Sequence, residues 1–239
     1  MSGTAKGTML LVYKDMKYQF VIFSLITLVM ALIYFAIGFI ISPNESISGP
    51  SGFTIFGPFY GLMAVYPAIT YTVSFRYAMG FGSTRTLFFK VFFALGILFV
   101  TASMIVVNIL YFIMEKLYEL HVNHANMFHI GSLTNFHKSF FPYLWIDIMI
   151  GIGILGVTFL ITSLWYKYGF LKISFGFIFL GFLAFLLFYK IGFLEVFQWI
   201  AGLNQLLLFS GIGIIGLVAL FSAYFFIRNA PLSYMAKKG

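Results

Sequence analysis

Charge is scarce in this sequence: Asp, Glu, Lys and Arg together make up 8% of its 239 residues. Cysteine is absent, which excludes disulfides and thiolate metal sites. No Gly-Lys pair occurs, so the chain has no P-loop for nucleotide phosphates. It also lacks the H-E-x-x-H and Gly-x-Ser-x-Gly signatures of metalloproteases and α/β-hydrolases. What is abundant is apolar surface: 62% of residues are hydrophobic and 21% aromatic, including 33 Phe. A soluble domain of this composition would have too little polar surface to stay in solution.

The few charges are spaced so that the runs between them are long. Tyr18 to Asn44 is uncharged throughout, and a hydrocarbon core of about 30 Å needs roughly 20 apolar residues in a helix. The sequence is therefore expected to form an all-α integral membrane protein, one domain over residues 1–239. Six spans are expected at about 20–41, 53–75, 91–114, 141–165, 173–188 and 206–227. With the N-terminus inside, the inner segments hold Lys6, Lys14, Lys17, Arg76, Arg85, Lys90, Lys167, Lys172, Arg228, Lys237 and Lys238. The outer segments hold only Lys116, Lys138 and Lys190. Cationic loops resist translocation, so this asymmetry predicts N-in, C-in. The net charge of +8 then reflects topology and anionic lipid contact, not nucleic-acid binding.

Residues 8–19 carry Met9, Val12, Tyr13 and Met16 at helical spacing, with Lys14, Asp15 and Lys17 largely opposite. The pattern suits an interfacial amphipathic helix, and equally the inner start of the first span. Residues 76–90 form the most distinctive inner stretch. Gly80 and Gly82 can break a helix there, and Ser83 or Thr84 can cap the next. A corner with a short inner helix, studded with Arg76, Tyr77, Met79, Phe81, Arg85 and Lys90, is expected. Gly151-Ile-Gly153-Ile-Leu-Gly156 and Gly211-Ile-Gly213-Ile-Ile-Gly216 match G-x-G-x-x-G by letter. Both lie inside spans, so they read as faces for close helix approach, as does Gly57-Pro-Phe-Tyr-Gly61. Pro58 and Pro67 are expected to kink the second span.

Asp147 is the one acid clearly inside a predicted span. An intramembrane carboxylate marks an ion path or a structural contact, and its place near the outer boundary, where water reaches, favours the structural role. His121, His124, His129 and His137 crowd one outer loop with Glu115 and Glu119, but their spacing matches no structural zinc pattern. Thr70, Thr72 and Ser74 in the second span, and Thr101, Ser103 and Asn108 in the third, line a pathway or pack between helices. No catalytic set and no metal site is expected.

The stretch Gly82-Ser-Thr84-Arg85-Thr-Leu-Phe88-Phe89, with the ending Tyr224-Phe-Phe-Ile-Arg228-Asn-Ala-Pro, resembles the permease subunits of ABC-2-type ABC transporters of Gram-positive bacteria. Thr84 stands where that family more often has Ser. Within the family, the outline is similar to exporters of the phenol-soluble modulin (amphipathic peptide) kind. The resemblance implies a subunit of the bacterial plasma membrane that moves hydrophobic or amphipathic peptides, or lipids, outward. It implies a permease homodimer or permease pair on two cytosolic ATPase subunits, with Mg-ATP bound by those partners and no cofactor on this chain. The 76–90 corner would be the coupling helix touching the ATPase, and residues 8–19 the family's connecting helix. Residues 191–204, with Glu195 and Trp199, would be short re-entrant helices. A peptide immunity permease has the same outline, and an ion-coupled transporter using Asp147 is the alternative outside the family.

Overall fold

The computed structural model describes residues 3–41, 50–51, 54–121, 126–134 and 138–229. Eight α-helices are formed among them: α1 (Gly3–Ile41), α2 (Gly57–Ile69), α3 (Phe75–Gly80), α4 (Arg85–His121), α5 (Phe140–Tyr168), α6 (Phe170–Ile191), α7 (Phe193–Gly202) and α8 (Gln205–Arg228). Five of these, α1, α4, α5, α6 and α8, are long and apolar enough to cross a membrane. The chain is thus a multi-pass α-helical membrane protein by length and composition.

The expected second span is helical from 57 to 80 but changes winding partway. Pro67 lacks an N–H, so the carbonyl of Met63 loses its intrahelical partner. The Thr158 hydroxyl of α5 approaches that carbonyl at 3.4 Å, the kind of repair that tolerates proline in membrane helices. Just beyond, Thr70–Ser74 forms a π-turn, with Phe75 N–H reaching back to the Thr70 carbonyl. A π-turn inserts extra backbone and bends the axis. The span is therefore split into α2, the π-turn and α3.

No break separates residues 8–19 from the first span, because nothing between Thr8 and Ile37 is Gly or Pro. α1 is one rod of 39 residues, roughly 58 Å at 1.5 Å per residue. Its buried face is Ala5, Thr8, Val12, Met16 and Gln19, while Met9 and Tyr13 are exposed. The rod leans on the bundle along this stretch. The corner is helical on both sides: the short α3 carries Arg76, Tyr77 and Met79 into it, and α4 leaves it toward the next span. Residues 81–84 form a tight turn between α3 and α4, with Gly82 at φ 79°, a conformation glycine adopts at little cost. Thr84 caps α4 by accepting from Leu87 N–H at 3.1 Å.

The ends of the helices sort by charge. One end carries the 81–84 turn, the start of α1 and the end of α8. Thr8 and Ser83 hydroxyls meet at 2.9 Å, and Arg85 Nη1 donates to the Arg228 carbonyl at 2.5 Å. The guanidinium thereby satisfies a free carbonyl at a helix C-terminus. Lys167 sits over the rings of Tyr168 and Phe226 at this same end. At the opposite end Pro50–Ser51 pairs in parallel with Asn126–Met127, and Lys138 pairs with Glu115 at 2.5 Å.

Between the ends, packing rests on aromatics and glycines. Phe92 and Phe159 stack with centroids 4.1 Å apart, with Tyr66 stacked on Phe92 at 5.5 Å. α5 and α8 form the most extensive pair, and the two glycine strings are the reason. A Cβ at Gly156 would lie 1.9 Å from the Gly216 carbonyl oxygen, and one at Gly216 2.4 Å from that of Ile152. The expectation for Gly57 and Gly61 fails, since a Cβ at either meets nothing within 4 Å. By contrast α6, expected as a short span, runs a full 22 residues and has no buried side chain. Helical glycine-to-alanine changes separate these cases. Gly156→Ala is expected to destabilise the protein by about 1–3 kcal/mol through overpacking, while Gly61→Ala leaves its thermal unfolding in detergent unchanged or slightly improved.

Candidate functional site

The described residues converge on one buried carboxylate. Asp147 lies in the second turn of α5 with 1% of its surface exposed, so water does not reach it as its position in the sequence suggested. Tyr60 of α2 donates its hydroxyl to Oδ1 at 2.6 Å. Asn108 of α4 donates Nδ2 to Oδ2 at 2.6 Å, and also to the Met104 carbonyl at 3.0 Å. His129, from the segment between α4 and α5, places Nε2 3.0 Å from Oδ2. Three helices and a loop therefore share a single acceptor.

The fourth member is held as firmly as the carboxylate. His129 Nδ1 accepts the Gly131 N–H at 2.7 Å, which leaves the ring proton on Nε2, aimed at Asp147. Its ring stacks on Tyr143 at 4.2 Å and meets Phe56 edge-on at 4.6 Å. Gly131 cannot carry a side chain here, because a Cβ would lie 2.6 Å from Tyr143 Cδ1. His129 also begins the short 3₁₀ turn Ile130–Leu133, where the Thr134 hydroxyl bonds the Gly131 carbonyl at 2.5 Å. The turn folds a polar loop down onto the helices through a side chain that is 0% exposed.

Chemically, this is a buried carboxyl group whose two oxygens are taken up by uncharged donors. Neither Lys nor Arg bonds Asp147 among the described residues, and a carboxylate accepting several hydrogen bonds is stabilised without one. The set holds no nucleophile beside a base. Among the described residues no group of three His, Cys, Asp or Glu could hold a metal. Of the four histidines, His124 and His137 lie outside the described residues, as does the side chain of His121.

The other expected site residues fall elsewhere. Thr70 and Ser74 are buried, and the Ser74 hydroxyl donates to a carboxylate oxygen of Asp15 on α1. Thr101 bonds the Ile97 carbonyl of its own helix at 3.0 Å, whereas Asn108 belongs to the Asp147 cluster. At the basic end, Tyr77 is 59% and Phe81 77% exposed. Arg76 and Lys90 are exposed too, with the Arg76 guanidinium 5.8 Å from the Tyr166 ring centre; Met79 is half-buried, and Arg85 is engaged by the end of α8. Glu195 and Trp199 are exposed on α7, a single helix that begins after Gly192 at φ 94°. Sequence reasoning missed Tyr60 and did not single out His129. No known family, characterised protein or solved structure matches the chain.

The cluster should fail as a unit. A double-mutant cycle with His129→Ala and Asp147→Asn, followed by thermal unfolding, is expected to give a coupling of about 1.5–3 kcal/mol, the range for hydrogen bonds to a charged group. His129→Ala alone should also make residues 126–134 the first site of limited proteolysis. A coupling near zero would mean that the contact contributes nothing.

Proposed function

We propose that this chain is the membrane-spanning subunit of an ATP-driven exporter, coupled mechanically to a separate cytosolic ATPase. The observation that carries the reading is the 81–84 turn at the basic end. Phe81 in the turn and Tyr77 on α3 just before it are exposed, as are Arg76 on α3 and Lys90 on α4. Exposed aromatics with flanking cations are the composition of interface anchors. The turn is also tied to four helices, since it joins α3 to α4, Ser83 bonds α1, and Arg85 at the start of α4 bonds the end of α8. A displacement of the turn is thereby passed to α1 and α8 as well as to its own helices. A partner can bias two states only through contacts that differ between them.

In this reading the basic end is cytosolic, as the positive-inside rule requires. The 57–80 run is the sixth crossing, and both termini lie inside. The host membrane is a bacterial plasma membrane, and two such permeases work with two ATPase subunits that bind Mg-ATP. The resemblance of the 82–89 stretch to ABC-2-type permeases supports this arrangement. Hydrophobic or amphipathic peptide is the preferred cargo and lipid the second. A peptide immunity permease would use the same machinery. Ion coupling through Asp147 has less support, because three donors already occupy that carboxylate.

Arg85 is a poor reporter of partner binding, because its substitution would also uncap α8. Phe81→Asp and Arg76→Glu leave that contact intact. Co-expressed with ABC ATPase subunits of its own host and extracted in mild detergent, the chain is expected to copurify with one of them at 2:2. Phe81→Asp should weaken that complex by about thirtyfold, the equivalent of a 2 kcal/mol anchor. Isolation of the chain without any ATPase, in detergent and in nanodiscs alike, would remove the proposal.

A further inference from the structure

A cleft of about 500 Å³ opens between the first turns of α1 and the 78–81 segment, a size within the range of ligand pockets. Glycine makes the room. Gly3 and Gly7 share one face of α1 with Leu11 and Lys14, at successive spacings of four, four and three residues. A Cβ on either glycine would meet nothing within 4 Å. Ala78 of α3 and Phe81 of the turn form the opposite wall. The buried hydroxyl of Thr8 is already bonded to the Thr4 carbonyl and to Ser83, each at 2.9 Å, so it asks nothing of an occupant. The lining is mainly apolar.

Lys14 is the one charged residue of that lining. It is exposed and makes no ion pair among the described residues. Asp15, its neighbour in sequence, accepts the Ser74 hydroxyl instead. The site is therefore an apolar slot with an unmatched positive charge at one end. Its complement is a molecule with an apolar body and a single anionic group. A soluble anion would leave the slot unfilled, and a neutral chain would leave Lys14 unmatched. From Gly3 to Lys14 the slot follows α1 for about 16 Å, close to half of a hydrocarbon core of about 30 Å and so to the reach of one acyl chain. A chain with five helices long and apolar enough to cross a membrane meets anionic lipid at high local concentration.

We propose that this cleft binds one anionic phospholipid, with an acyl chain lying along Gly3, Gly7 and Leu11 and the phosphate paired with Lys14. A lipid seated there touches α1, α3 and the turn at once, so its binding braces the start of α1 against the 81–84 corner. The inference does not rest on the exporter reading, and its test contains no ATPase.

The full chain, purified in a neutral detergent, is titrated with phosphatidylglycerol or with phosphatidylcholine, and the lipid retained per chain is counted by native mass spectrometry. One phosphatidylglycerol is expected to bind about fivefold more tightly than phosphatidylcholine, the equivalent of the 1 kcal/mol that one lysine contributes beside anionic lipid. Lys14→Gln should erase that preference. Lys17→Gln removes the same charge three residues further along α1, outside the lining, and should leave it unchanged. Gly7→Leu should abolish the tight site for both lipids. The leucine side chain has room to enter the cleft, and leucine is a better helix former than glycine, so the fold is kept. Equal affinity for the two lipids, or equal losses in Lys14→Gln and Lys17→Gln, would overturn the proposal in favour of diffuse attraction to the basic end. Tight binding that survives Gly7→Leu would overturn it too, and would place the lipid elsewhere on the chain.

Discussion

A carboxylate taken out of water must find its hydrogen bonds inside the protein, and at Asp147 that requirement gathers the half of the bundle nearer the Lys138–Glu115 pair. α2 and α4 each contribute a donor, and the loop after α4 contributes the third. Each donor fixes the rotation of its own element as well as its distance. Apolar contact alone would let these helices slide, because lipid tails compete for the same surfaces. The carboxylate gives them a shared register. The Lys138–Glu115 pair and the short strand pair lie at this same end, so polar contacts specify this half of the bundle.

The opposite half is organised by shape. Glycines bring the α5 and α8 backbones into contact, and stacked rings fill the space between α2, α4 and α5. Between the halves, Pro67 and the π-turn bend the second helical run where Ser74 meets Asp15 of α1. The bend separates a segment fixed by Tyr60 from one that leads into the 81–84 turn.

Much of this was legible in the sequence. The helical class followed from long uncharged runs, and the close approach of α5 and α8 from their glycines. The corner followed from Gly80, Gly82 and a hydroxyl at Thr84. The cluster could also have been found. Asn108 lies six residues from the outer end of its expected span at 114, and Asp147 six from 141, while Tyr60 lies seven from 53. Polar residues at one depth on neighbouring spans are candidates to bond. His129 was harder, because it sat in a count of four histidines. Its signal was local: Met127 and Phe128 before it and Ile130 after it mark a buried segment, and Gly131 permits the turn. The Gly57/Gly61 expectation failed because a small residue permits close approach without requiring it. Residues 8–19 did not form an element of their own, because an amphipathic pattern is compatible with a longer helix. Only a breaker ends one, and residues 8–37 contain none.

α6 stands apart from both halves. It begins after Gly169 at φ 92°, ends before Gly192 at φ 94°, and buries no side chain. Its neighbours in contact are α5, which precedes it, and α7, which follows. Every other long helix carries part of its solvation with it, in the form of the bundle. α6 is solvated by its surroundings alone, so replacing bilayer with detergent changes the whole environment of this helix and only part of the environment of the others. The chain is thus two materials in one molecule: a core that keeps its shape in a micelle, and a rod whose position is set by the medium.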